Sequence, residues 1–434
     1  MKQLKYAAMV VVSVMMAMNI SCSREQYNAE KAQQGFDSVS PVDSIDATHT
    51  WLLTKTRTLV VEAPEVTDGT AKVRILTANP RRSGDAQVVG EAFATAAQPT
   101  EMTIAYPATI TTLYAALVDG NDRYSIVRFD PDGADTISFS DLIVDHEQLS
   151  YEPQPQQFTF CFEDSYPYPG DYDYNDVVLR VSQERTGERE MRFNVTLAAV
   201  GTIKPVFSAI RLVDYNATDI ESIITVDSLS FNTTNGKDIP NQMLTPTVQQ
   251  LKNKNSFLLE GNNGEAVISL FWDAHWGTGD LLEENYGQIE RKYYNVSLGT
   301  GTNNAQFVPR TVTYIVTFKS GAALNHFTLN DLDPFLCDNS SIFEVHQYRY
   351  REAQVLTKYT YTTIKSLPWV ICIPTKSFRW PLEGTFIGYI NEGGHTYGPY
   401  QKAGHSFGEW VRDHTQCLDW YEYPIDNQVF YSTD

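Results

Sequence analysis

The sequence predicts an all-β protein in two units: a small β-sandwich, then a larger sandwich-like domain. Three observations carry that reading. Short runs rich in Val, Ile, Thr, Tyr and Phe recur from about residue 48 onward, and clusters of Gly, Pro, Asn and Asp separate them. None of these runs has the 3.6-residue apolar period of an amphipathic helix. Hydrophobic residues make up 42% of the 434-residue chain and aromatics 12%, enough for packed cores rather than a disordered chain.

The first element is not part of the fold. Lys2 and Lys5 precede an apolar run from Tyr6 to Ile20, shorter than the roughly 20 residues that span a bilayer. A basic start, a short apolar centre and a small residue before the break make a secretory signal. The break reads Asn19-Ile20-Ser21-Cys22. A Cys directly after a small residue at the end of such a run resembles the bacterial lipobox, although Asn19 stands where Leu is preferred. The resemblance implies cleavage after residue 21 and lipidation of Cys22. Residues 22–47 are then a polar tether, and the membrane is a partner only through the lipid.

Residues 48–150 form the small sandwich. Thr58–Glu62, Lys72–Leu76, Thr112–Val118 and Tyr124–Phe129 read as strands, with turns at Asp68-Gly69, Asn79-Pro80 and Asp119-Gly120. The run Glu152-Pro-Gln-Pro-Gln-Gln157 reads as a spacer. The larger domain, 151–434, opens on strand-like runs such as Asp176–Val181 and Met191–Leu197 and continues through Ala266–Phe271 and Thr311–Phe318. Two of them alternate as half-buried strands do. Loop insertions are expected at Tyr215–Lys252 and Gly277–Asn304.

The segment that leads into the first of these runs carries the densest chemistry. Glu163 and Asp164 are followed by Gly170-Asp171-Tyr172-Asp173-Tyr174-Asn175-Asp176. Hard cations such as Ca²⁺ take 6–8 oxygen ligands, and alternating Asp-x-Asp-x-Asn supplies them as in the first half of an EF-hand loop. The rest of an EF-hand is missing, since Asp176 stands at its Gly position and Ser182 at its closing Glu position. The expected ligands of one Ca²⁺ are Glu163, Asp164, Asp171, Asp173, Asn175 and Asp176. A solvated acidic turn is the competing reading, because Asp and Asn in turns also bond their own backbone.

Here a family resemblance enters. Phe162-Glu163-Asp164, the Gly170–Asp176 run and Val177-Val178 resemble the hallmark of LruC-type domains of exported Gram-negative proteins. Later stretches agree in order, among them Val267–His275, Asp333–Leu336, Leu367–Trp369, Phe378–Glu383 and Phe407–Trp410. The resemblance covers about residues 155–425. It implies a β-rich extracytoplasmic domain of unknown function and supplies no activity.

Other features exclude more than they assign. A net charge of −20 argues against nucleic acid, which is bound by clustered Lys and Arg. Cys161, Cys337, Cys372 and Cys417 could form two disulfides in any pairing, or remain buried thiols. His275 near Asp273 and His346 near Glu344 imitate acid–base couples, but such neighbours are common on strands. Trp369, Trp380, Trp410 and Trp420 read first as core and second as sugar platforms. No nucleophile elbow, zinc-protease or nucleotide motif is present. The expectation is a non-enzymatic lipoprotein of the cell envelope, on the outer membrane and facing periplasm or cell surface. It would bind a glycan or a protein, with Ca²⁺ ordering the Asp171 loop. The alternatives are a carbohydrate-active enzyme and a structural component of an appendage or adhesin.

Overall fold

The computed structural model describes residues 45–46, 48–63, 71–95, 98–118, 124–133, 135–139, 149, 151–166, 170–231, 233–234, 237–238, 248–250, 257–261, 263–278, 291–338, 344–353, 367–391 and 393–431. Cys22, the signal segment and nearly all of the tether lie outside them. The fold is all-β, with two short helices, α1 (Ala274–Gly277) and α2 (Phe407–Arg412). Among the described residues, no helix is long and apolar enough to cross a membrane.

The smaller unit comprises β1 (Thr54–Glu62), β2 (Ala71–Leu76), β3 (Gln87–Ala94), β4 (Thr100–Pro107), β5 (Leu113–Val118), β6 (Tyr124–Phe129), β7 (Thr136–Ser138) and β8 (Gln154–Pro155). One sheet runs β4-β1-β7 and the other β6-β5-β2-β3-β8. Leu59, Val73, Ile75, Ile104 and Tyr106 fill the layer between them, each fully buried. That is the sandwich the alternating runs predict. The Pro/Gln run is not a free spacer. Gln154 and Pro155 add a parallel edge strand against Gln87 and Val88, and the Gln156 amide donates to the Ala105 carbonyl at 3.0 Å. A proline is tolerated there because an edge strand can spare its N–H.

The larger unit continues with β9 (Gln157–Phe162), β10 (Val177–Arg185), β11 (Glu190–Val200), β12 (Val206–Asn216), β13 (Ile220–Thr225), the pair β14 (Thr233–Thr234) and β15 (Lys237–Asp238), and β16 (Val248–Gln250). Then come β17 (Leu258–Gly261), β18 (Glu265–Phe271), β19 (Tyr293–Tyr294), β20 (Asn304–Ala305), β21 (Arg310–Phe318), β22 (Leu332–Asp338), β23 (Glu344–Val345) and β24 (Val370–Ile373). One sheet has the path β13-β21-β11-β10-β9-β24 and the other β16-β17-β18-β12-β22-β23. Phe158, Phe160, Phe193, Leu197 and Tyr314 lie in the main core, all fully buried. The expected insertion at Tyr215–Lys252 therefore contributes strands to both sheets, β13 to one and β16 to the other.

Residues 367–391 and 393–431 supply the edge strand β24 and then a third layer packed against the strands that carry the acidic loop. Trp369, Trp380, Trp410 and Trp420 are all buried there, with Trp410 and Trp420 in contact at 5.8 Å between ring centroids. They are core, and the sugar-platform reading of these four is overturned. The presumed end of the tether also packs in this layer. Trp51 stacks on His49 at 3.9 Å, His49 meets the Trp410 carbonyl at 3.1 Å, and Asp46 pairs with His414 at 2.5 Å. Ile45 lies against the same core, so the folded body begins by residue 45 rather than 48.

Candidate functional site

The acidic loop joins β9 to β10, and its shape follows from one buried side chain. Glu163 is fully buried directly after β9. Its carboxylate accepts the Tyr172 N–H at 3.1 Å and the Tyr174 N–H at 2.8 Å. Both tyrosines are left-handed, at φ 55° and 54°. Alternating left-handed residues turn successive N–H groups toward one point, a nest that suits an anion. Here the anion is the chain's own glutamate. Gly170 completes the fit, because a Cβ there would lie 1.8 Å from Glu163 Oε2.

The loop is also tied to the third layer. Tyr172 O accepts from Ile387 N at 2.9 Å, and the Tyr174 hydroxyl donates to Pro368 O at 2.6 Å. Asp173, 1% exposed, accepts the Asn175 N–H at 3.1 Å and the Gly384 N–H at 2.7 Å.

Of the six expected ligands, the structure brings three together. Oxygens of Glu163, Asp171 and Asp173 all lie within 4.8 Å of one another. Two oxygens bound to one Ca²⁺ at about 2.4 Å can be separated by up to roughly that distance. The other three sit in bonds of their own. Asp164 pairs with Lys204 at 2.7 Å and accepts from the Thr202 hydroxyl. Asp176 Oδ2 accepts the Asp164 N–H at 2.7 Å. Asn175 donates its amide to Pro381 O at 3.1 Å. Asp164, Asn175 and Asp176 thus frame the loop around the convergent trio.

Sequence reasoning missed Glu383. It comes from the third layer, about two hundred residues away, and the Phe378–Glu383 stretch that carries it pointed to the family rather than to a ligand. Its Oε2 is buried with no hydrogen-bond partner among the described residues. Burial first, then Asp171 and Asp164, push its carboxyl up to about 7. Asp173 is pushed up to about 8 by burial, Asp171 and Glu383. Burial, then Asp173 and Asp171, raise Glu163 well above the usual carboxylate range despite its two N–H donors. Asp171 is raised mainly by partial desolvation. Such a cluster is neutralised either by protons or by a cation. All its donors are carboxylate oxygens, which suit a hard ion.

The two histidine couples exist, but as buried structure. His275 meets Asp273 at 2.8 Å and the Thr202 carbonyl at 2.9 Å, which occupies both ring nitrogens. His346 lies between Asp333 at 2.6 Å and Glu344 at 3.1 Å, stacked on Phe335. The four cysteines are free thiols. Cys161 and Cys372 share neighbouring strands, but Cys161 faces Ile371 and Cys372 faces Phe160. Successive strand residues point to opposite faces, so these two do not meet.

The comparisons place the chain. It belongs to the family described as a domain of unknown function, DUF4842, which matches residues 189–410. That span runs from the start of β11 into α2 and begins after the acidic loop. A crystal structure of a protein from Bacteroides ovatus, provisionally described as a lipoprotein, has a TM-score of 0.47 and 15% identity. The similarity covers 82% of this chain and 98% of that one. No curated protein sequence matches the chain.

Proposed function

We propose that the chain is a lipid-anchored, non-enzymatic binding module of the cell envelope, whose larger domain is LruC-type and is held by one Ca²⁺. Glu163, Asp171 and Asp173 supply the first ligands, and Glu383 closes the shell from the third layer. The observation that supports it is the convergence of that trio, in which Glu163 and Asp173 are buried and Asp171 is exposed, so that burial opposes the charge on two of the three. A cation removes the repulsion and binds the β9–β10 loop to residues 381–387.

The test is thermal. Extracellular Ca²⁺ modules bind in the roughly 10⁻⁴–10⁻³ M range. Tenfold excess over Kd stabilises the folded form by about 1.4 kcal/mol, a melting shift of a few degrees. Asp173→Ala should abolish that shift, and Glu383→Gln should reduce it. A melt that stays put at about 10 mM Ca²⁺, with no heat in calorimetry, leaves protons as the neutralising partner and ends the calcium reading.

Anchoring rests on the Ser21-Cys22 break after the apolar run. In a Gram-negative host, Cys22→Ala should lose acyl label and leave the outer-membrane fraction. Unlabelled wild-type chain retained on membranes would rule out the lipid. The non-enzymatic part fails if purified chain cleaves a polysaccharide or peptide and a single Asp or Glu substitution stops it.

A further inference from the structure

A cleft of about 840 Å³ lies between the two domains, and both line it. Pockets of 300–1,000 Å³ at domain junctions are where small ligands most often sit. We propose that this cleft binds a neutral oligosaccharide. The inference rests on the reading of the chain as a binding module and names its ligand class.

Charge comes first. The charged residues lining the cleft are Arg379, Lys402, Glu422 and Asp426, two of each sign. In a chain of net charge −20, that balance selects neither a polyanion nor a polycation. Arg379 and Asp426 are bonded to each other at 2.6 Å, so they present a fixed pair of donors and acceptors rather than a free charge.

The uncommitted groups come second. Among the described residues, no hydrogen bond occupies the side chains of Gln87 and Thr109 on the small domain or of Glu422 on the large one. The Lys402 ammonium lies 3.4 Å from the centre of the Tyr423 ring and has no carboxylate partner among the described residues. An amide, a hydroxyl, a carboxylate and an ammonium therefore face one space from two sides. Together they donate and accept in roughly equal measure. Vicinal hydroxyls, each a donor and an acceptor at once, match that set. An acyl chain would leave the set unpaired and desolvated, at a cost for each group.

The experiment uses the purified full chain on an array of neutral glucans, mannans and xylans, with polygalacturonate and casein peptides as comparison probes. The best neutral probe is then titrated against Gln87→Ala and Lys402→Ala, which sit on different domains and lie outside the cores. At least one neutral glycan should bind, and each substitution should weaken it tenfold or more. A Gln306→Ala control, in a different pocket, should bind as wild type. The proposal is overturned if no neutral glycan binds, if the acidic or peptide probe binds in its place, or if both cleft variants match wild type. Neither substitution touches the Glu163 cluster, so the calcium shift reports separately on the wider reading.

Discussion

At the scale of single residues, the loop is decided by Glu163 and Gly170. A buried carboxylate needs donors, and the nest at Tyr172 and Tyr174 provides them. The left-handed tyrosines are strained, and their strain is held by the bonds to Glu163 and to the third layer. Gly170→Ala would put a methyl 1.8 Å from Glu163 Oε2, and the glutamate cannot retreat without losing both N–H bonds. Overpacking of this kind costs about 1–3 kcal/mol, so the melt should fall by several degrees. Gly187→Ala is the control, because its nearest neighbour, the Glu190 Cβ, is 3.6 Å away. Equal melts for the two variants would mean that the loop adapts and that Glu163 does not organise it.

At the scale of elements, the loop and the 381–387 segment act as one clasp, and their acids set its pH response. Asp173 is raised to about 8 and Glu383 to about 7, each by burial first. Without Ca²⁺, the folded state therefore holds more protons than the unfolded chain from about pH 4 to 8. Stability must fall as pH rises across that window. A bound cation replaces those protons and removes this part of the slope. His346 adds a part that Ca²⁺ leaves alone. Burial lowers it, but Asp333 and Glu344 outweigh burial and hold it at about 9, so its contribution is lost between about pH 6.5 and 9. Melts from pH 5 to 9, with EDTA and with 5 mM Ca²⁺, should diverge as pH rises. Parallel curves would show that the acids are not ion ligands. Legibility differs between these elements for a physical reason. The strand runs and the Asp171–Asp176 turn are local patterns of period and side-chain type, and they were readable. Glu383, the nest and the third layer are long-range contacts that leave no local trace. The four tryptophans were readable as core, but not which sheet they cover. The Pro/Gln run misled because an edge strand tolerates the composition of a linker.

At the scale of the whole molecule, a buried charge ties the two domains together. Glu91 on β3 is 8% exposed. It accepts from Lys72 at 2.9 Å and Arg74 at 2.8 Å, and from the Arg185 N–H of the large domain at 2.9 Å. The Arg185 guanidinium bonds to Glu188 O at 2.8 Å, Gly321 O at 3.0 Å and Asn325 Oδ1 at 2.5 Å. Its face lies 4.8 Å over the Phe93 ring of the small domain. Asn330 adds contacts to Thr54 and Thr56. Domains so joined should unfold in one calorimetric transition, and Ca²⁺ bound in the large domain should raise the melt of both. Glu91→Ala removes the buried carboxylate shared by Lys72, Arg74 and the Arg185 N–H, leaving Lys72 on the Arg185 carbonyl and Arg74 on Glu152, a loss of up to about 3–5 kcal/mol for broken buried pairs. The transition should then split, the small domain should melt first, and Ca²⁺ should move only the later peak. Two peaks already present in the wild type, with Ca²⁺ acting on one of them, would show that Glu91 does not couple the domains. The cleft between them would then be free to open and close.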